Sequence, residues 1–273
     1  MAEVLLPPLF ALMLWWTSTG VLLVLVRSPQ RTYVWSMGAM GVLLVAALYG
    51  AQWISPYARS PGDAYLSFVF GVAVWAWHEL SYLTGFLTGP QKRACPLGAA
   101  PLKRFRLAIG TSLYHELAVI ACGLTLVLLT WGQPNRVALW VYLVLWAMRW
   151  SAKLNMFLGV RNFNEDWFPE HLQFLVSYLN RRRFNWLFPW SVTVSSVVAG
   201  VILVRAIGAD DVFVRSASAL VFAMLLLAIV EHWMLMLPLR SAVLWKWFTE
   251  TEAERRARLA AGAPLVISSG SKP

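Results

Sequence analysis

The chain has 273 residues, 59% of them hydrophobic and only 13% charged, with 16 tryptophans and a formal net charge of +10. Soluble domains hold about 25% charged residues, so this composition excludes an ordinary water-soluble fold. The positive charge does not point to nucleic acid, because there is no Gly-rich phosphate loop, no aromatic-basic RNA signature and no repeat at a solenoid period.

Several apolar stretches exceed the roughly 18 to 20 residues that cross a bilayer. Seven spans are expected, near 5–26, 33–54, 65–87, 107–131, 137–158, 187–207 and 212–237. The expected fold class is therefore all-α, a polytopic membrane helix bundle over 1–248, followed by a charged tail over 249–273 with little to pack against. The first span has no basic stretch before it and is too long for a signal-peptide core, so it is read as retained.

The first loop carries Arg27 and Arg31, and the third carries Lys92, Arg93, Lys103, Arg104 and Arg106. The fifth carries Arg161 and Arg181 to Arg183, and the tail adds Arg240, Lys246, Arg255, Arg256, Arg258 and Lys272. The even-numbered loops are poor in Lys and Arg, which places the N-terminus outside and the C-terminus in the cytoplasm. Cys95 lies in a basic loop and Cys122 in an apolar span; the two give neither metal-ligand spacing nor a disulfide framework.

In the fifth loop, Leu172, Leu175, Val176 and Leu179 recur at helical spacing, which predicts an amphipathic helix along the cytoplasmic interface. Pro169 suits its first turn and Asp166 its cap.

Within these elements all four histidines sit beside a glutamate: His78-Glu79, His115-Glu116, Glu170-His171 and Glu231-His232. Glutamate occurs only nine times. Four such pairings by chance are on the order of one in fifty thousand. At 1.5 Å rise per residue the four pairs fall within one slab of the inner leaflet roughly 15 Å deep. Charged groups in apolar spans cost roughly 2.5 kcal/mol or more and mark a site or a partner.

Three readings of the pairs are open. The eight residues are candidate ligands for iron or another transition metal, with glutamates orienting histidines as second partners. The gathering of carboxylates and His from several helices resembles di-iron carboxylate proteins, although their Glu-x-x-His spacing is absent. Alternatively a histidine is the axial ligand of a tetrapyrrole, haem or bacteriochlorophyll, for which Ala228-x-x-x-His232 has suitable spacing. In the third reading the glutamates pair with Arg149, Lys153 or Arg161 and hold the bundle together. Arg149 and Lys153, one helical turn apart, with Asn155, also suit an anionic lipid or a propionate of a bound cofactor.

Three segments, WHELSYLTGFLTGP (77–90), RFRLAIGTSLYHELAVI (104–120) and AMRWSAKLNMFLGVRNFNEDWFPEHLQFLVSYL (147–179), resemble the photosynthetic complex assembly protein 2 family. That family is encoded with the reaction-centre genes of purple phototrophic bacteria, and the resemblance covers roughly residues 5–248. It implies a bacterial cytoplasmic or intracytoplasmic membrane protein that acts on bacteriochlorophyll supply or on assembly of the reaction centre and its light-harvesting ring. The implied partners are membrane lipids, photosynthetic complex subunits and bacteriochlorophyll pathway proteins. A metal-dependent membrane oxidoreductase acting on a tetrapyrrole, quinone, carotenoid or lipid is the alternative from another class.

Overall fold

The computed structural model describes residues 2–163 and 168–237, with side chains from residue 6 onward. The expected tail, 249–273, and the candidate cap Asp166 lie outside them. Eight α-helices carry the described chain: α1 Ala2–Arg27, α2 Tyr33–Ile54, α3 Pro61–Leu83, α4 Pro101–Gly110, α5 Leu113–Leu129, α6 Val137–Leu158, α7 Leu187–Gly208 and α8 Val212–Met236. Short 3-10 helices cover Gln30–Thr32 and Glu170–Tyr178. The described β-pairing is an isolated parallel bridge between Val160 and Arg181.

Five helices, α1, α2, α6, α7 and α8, are long and apolar enough to cross a membrane. The exposed faces of α2 and α7 are apolar, with Val34, Val42, Val45, Val194, Val197, Val201 and Val204 turned outward, as lipid contact requires. The remaining two expected spans differ from the other five. The stretch expected at 107–131 is α4 and α5, bent by 59° at Thr111 and Ser112, and makes a sixth span only if the broken pair counts as one.

The break has a cause elsewhere in the chain. The loop after α3 inserts its backbone between the two helices: Gln91 N–H donates to Gly110 O at 3.1 Å, and His115 N–H donates to Thr88 O at 2.9 Å. Gly89 makes the approach feasible, since a Cβ there would lie 2.0 Å from Gly110 O.

The expected span at 65–87 is α3, which is long but carries Asp63, His78 and Glu79 and falls short of the other spans in apolar character. Seven spans are therefore not reached on length and composition alone. Its polarity fits its place: α3 packs against α1, α2, α5, α6 and α8, so its faces meet protein rather than lipid.

The start of α3 is fixed by a capping box. Ser60 Oγ accepts from Asp63 N–H at 3.4 Å, while Asp63 Oδ2 accepts from the N–H groups of Ser60 and Arg59, each at 2.9 Å. Ser67 Oγ then accepts from Ala138 N–H at 3.0 Å, and Gly71 lies so close to α6 that a Cβ would sit 2.7 Å from Ala138 O. Around this contact Phe68, Val141, Leu220 and Met224 form one core cluster, and Val74, Val119, Leu126 and Tyr142 form another. Through Val74 and Trp75 the second cluster holds α3 against α5 and α6.

The expected amphipathic α-helix is a 3-10 helix, Glu170–Tyr178. Its buried residues are Leu172, Leu175 and Tyr178, a spacing of three that matches 3-10 geometry, while Leu179 is already extended. Pro169 stands before the first turn rather than within it.

Candidate functional site

Four helices bring polar side chains together inside the apolar bundle. From α6, Arg149 Nη2 lies 2.9 Å from Glu79 Oε2 of α3, and Lys153 Nζ lies 2.5 Å from Glu116 Oε1 of α5. Glu116 is 8% exposed and Lys153 20%, so this pair is held largely away from solvent. The ammonium of Lys153 also lies 4.9 Å from the ring centre of Tyr82. Glu231 of α8 is exposed, interacts electrostatically with Arg149 and Glu79, and is hydrogen-bonded by the Trp15 side chain. Three carboxylates thus face two cations.

Beside the ion pairs sit two buried imidazoles, His78 and His115, with ring centres 6.1 Å apart and planes at 85°. Tyr142 lies 3.0 Å from His78 Nε2 and donates its single hydroxyl proton to Val119 O at 2.8 Å. With that proton committed, the Nε2 of a neutral His78 must donate to the phenol, which leaves Nδ1 as a bare lone pair. That Nδ1 is buried without a hydrogen-bond partner among the described residues, and so is Nδ1 of His115. Such atoms are rare in packed interiors and call for a ligand, water or function. Trp146 Nε1, Arg149 Nε and Asn155 Oδ1, all on α6, are in the same condition.

The other two histidines are placed differently. His232 on α8 donates from Nδ1 to Ala228 O at 2.8 Å, and its Nε2 accepts from Ser151 Oγ at 2.9 Å. Both ring nitrogens are occupied, so in this arrangement the Ala228-x-x-x-His232 segment offers no lone pair to a metal or tetrapyrrole. His171 lies apart, against the end of α3, where its Nε2 donates to Leu83 O at 3.1 Å. Glu170 beside it is exposed.

The eight expected ligands therefore do not form one shell. Glu79, Glu116 and Glu231 face cations, His78 and His115 face each other, and His232, His171 and Glu170 turn elsewhere. Among the described residues no three His, Cys, Asp or Glu side chains are placed to hold a metal ion. Asn155, expected to help bind a ligand, donates to Ser151 O at 2.9 Å and to Ser191 Oγ at 3.1 Å, tying α6 to α7. Both cysteines are free thiols, as their spacing implied.

Tyr142 and Ser151 are the participants that sequence spacing did not reveal. A phenol in mid-span is itself a signal, since its hydroxyl must find a partner away from water.

A bundle with lipid-facing valines and a charged cluster gathered among its central helices is a multi-pass membrane protein. The chain belongs to the family described as "Protein of unknown function (DUF3623)", whose profile matches residues 1–256. A Rhodobacter capsulatus protein, "Uncharacterized 30.4 kDa protein in puhA 5'region", is 34% identical over 266 residues, covering 96% of this chain and 97% of its own. No solved structure matches.

Proposed function

We propose that this protein is an integral membrane factor for assembling a photosynthetic complex or supplying its bacteriochlorophyll. In this reading it is seated in the bacterial cytoplasmic membrane with its N-terminus periplasmic and its C-terminus cytoplasmic, and α3 is the seventh span. The observation that carries a working site is the pair of buried, unpartnered imidazole nitrogens, His78 Nδ1 and His115 Nδ1, beside the two ion pairs. A cluster serving only to join helices would satisfy its own polar atoms, because an unsatisfied buried group costs about 1–3 kcal/mol.

The photosynthetic setting draws on two supports. The R. capsulatus relative is named for the puhA 5' region, and segments 77–90, 104–120 and 147–179 resemble an assembly family encoded with reaction-centre genes. Arg149 and Lys153, held in place by Glu79 and Glu116, present cations at the edge of the cluster that suit an acidic amphiphile.

The test is deletion of the gene in a phototrophic host, followed by complementation with His78→Ala and His115→Ala variants. Near-infrared absorption of the membranes reports assembled pigment-protein complexes, and immunoblotting reports the amount of the protein. The expected result is loss of complexes on deletion and failure of both variants at normal protein level. Wild-type absorption in the deletion strain would overturn the photosynthetic reading, and full complementation by both variants would overturn the site.

A further inference from the structure

A second polar site lies outside the bundle's central cluster, and its support is independent of the function proposed above. Where α1 turns into α2, the segment Gln30–Tyr33 faces the loop after α3 and the 3-10 helix across a half-open cavity of about 390 Å³. Small-molecule sites occupy about 300–1,000 Å³. Liquid water takes about 30 Å³ per molecule, so the space exceeds what one or two ordered waters fill.

Its wall is built rather than incidental. Gly85 has φ +74°, and a Cβ there would lie 2.8 Å from His171 Cδ2, so glycine is what lets the imidazole close this side. Nε2 of that ring is held on Leu83 O, the Thr84 hydroxyl donates to Leu80 O at 2.7 Å, and the Tyr33 hydroxyl donates to Val26 O at 2.5 Å. These protons are committed within the chain and fix the shape.

Three other lining groups are not committed. Among the described residues, the Gln30 amide, the Thr88 hydroxyl and the Lys92 ammonium have no hydrogen-bond partner, and all three line the cavity. Among the described residues no carboxylate lines it, while Leu172 and Phe174 provide an apolar side. Uncommitted donors around one cation make a site for an oxyanion. The apolar side and the position at a bundle end, where two spans join, suit the headgroup end of an amphiphile.

We infer that this cavity binds a phosphate group, carried by an anionic lipid at the membrane surface or free in solution, with Lys92, Gln30 and Thr88 as its donors.

The test uses the full chain purified in neutral detergent. Native mass spectrometry measures retention of phosphatidylglycerol against phosphatidylcholine, and titration calorimetry measures binding of inorganic phosphate. Wild type is expected to prefer phosphatidylglycerol, and Lys92→Gln to weaken that binding about tenfold, as loss of one charge-assisted contact implies. Lys103→Gln, an exposed cation elsewhere, should leave it unchanged. Gly85→Val, which drives a side chain into the His171 ring, should abolish it while the tryptophan-fluorescence melt shows a folded protein.

Binding of inorganic phosphate with the same dependence on Lys92 would identify the free anion as the ligand. Binding of the lipid alone would identify the headgroup. The proposal falls if Lys92→Gln binds both like wild type, if Lys103→Gln weakens binding as much as Lys92→Gln, or if wild type binds neither.

Discussion

At the start of α3, polar side chains serve the backbone. Ser60 and Asp63 cap the helix, and Asn135 donates to Ile54 O at 3.5 Å and Asp63 O at 3.1 Å while its Oδ1 accepts from Val137 N–H at 3.2 Å. Near the other end of the same helix, His78, Glu79 and Tyr82 face side chains from α5 and α6, and several of the gathered atoms have no hydrogen-bond partner among the described residues. The first region closes helix ends and leaves nothing over. The second holds opposite charges in contact yet leaves lone pairs and N–H groups empty. Architecture accounts for the first and not for the second, and that difference separates a structural polar cluster from one built to meet something else.

The largest expected effect breaks the comparison at its centre. Lys153→Met strands the Glu116 carboxylate in an apolar interior and should lower stability by about 3–5 kcal/mol, read by denaturant unfolding in detergent. Adding Glu116→Gln should restore most of that loss. If the restored double variant also assembles complexes normally, the ion pair is only a strut.

At the capped end, Asn135→Ala leaves the Val137 N–H without its acceptor and takes one donor from Ile54 O, which keeps the Tyr57 N–H, and one from Asp63 O. It should cost about 1–3 kcal/mol, with normal complementation in cells where the protein still accumulates. A functional defect at normal protein level would erase the contrast between the two regions. Tyr142→Phe should cost about 1–2 kcal/mol, because it strips Val119 O and His78 Nε2 of their partner. It frees His78 to reorient, so a change in the imidazole proton resonances should accompany it.

The smallest effect is expected at His232. With both ring nitrogens answered by Ala228 and Ser151, His232→Asn should cost about 1 kcal/mol and leave complementation intact. Loss of function there would mean that its hydrogen bonds are exchanged for a ligand during work.

The helix limits were legible in the sequence, because runs of apolar residues over about 20 positions have few alternative explanations. The sequence set all four histidines at one depth but did not single out His78 and His115, the two whose rings lie 6.1 Å apart. The bend between α4 and α5 was not legible, because the groups that answer its open hydrogen bonds, Thr88 O and Gln91 N–H, come from a loop some twenty residues earlier. The 3-10 helix was hidden because Leu172 and Leu175 fit a period of 3.0 and 3.6 equally over so short a segment. The isolation of His171 depends on Gly85, which no local pattern around residue 171 announces.

The interruption at Thr111 and Ser112 has an electrostatic result. Because α5 begins at Leu113, Glu116 falls in its opening turn, where the peptide dipoles sum to a partial positive pole. Were 101–129 one continuous rod, that carboxylate would sit mid-helix and face Lys153 alone. The kink lends it a second source of positive potential, about 0.3–1 kcal/mol at an exposed site and up to ~2 where water is scarce. A discontinuity in the backbone thereby helps keep an anion inside the bilayer-facing bundle.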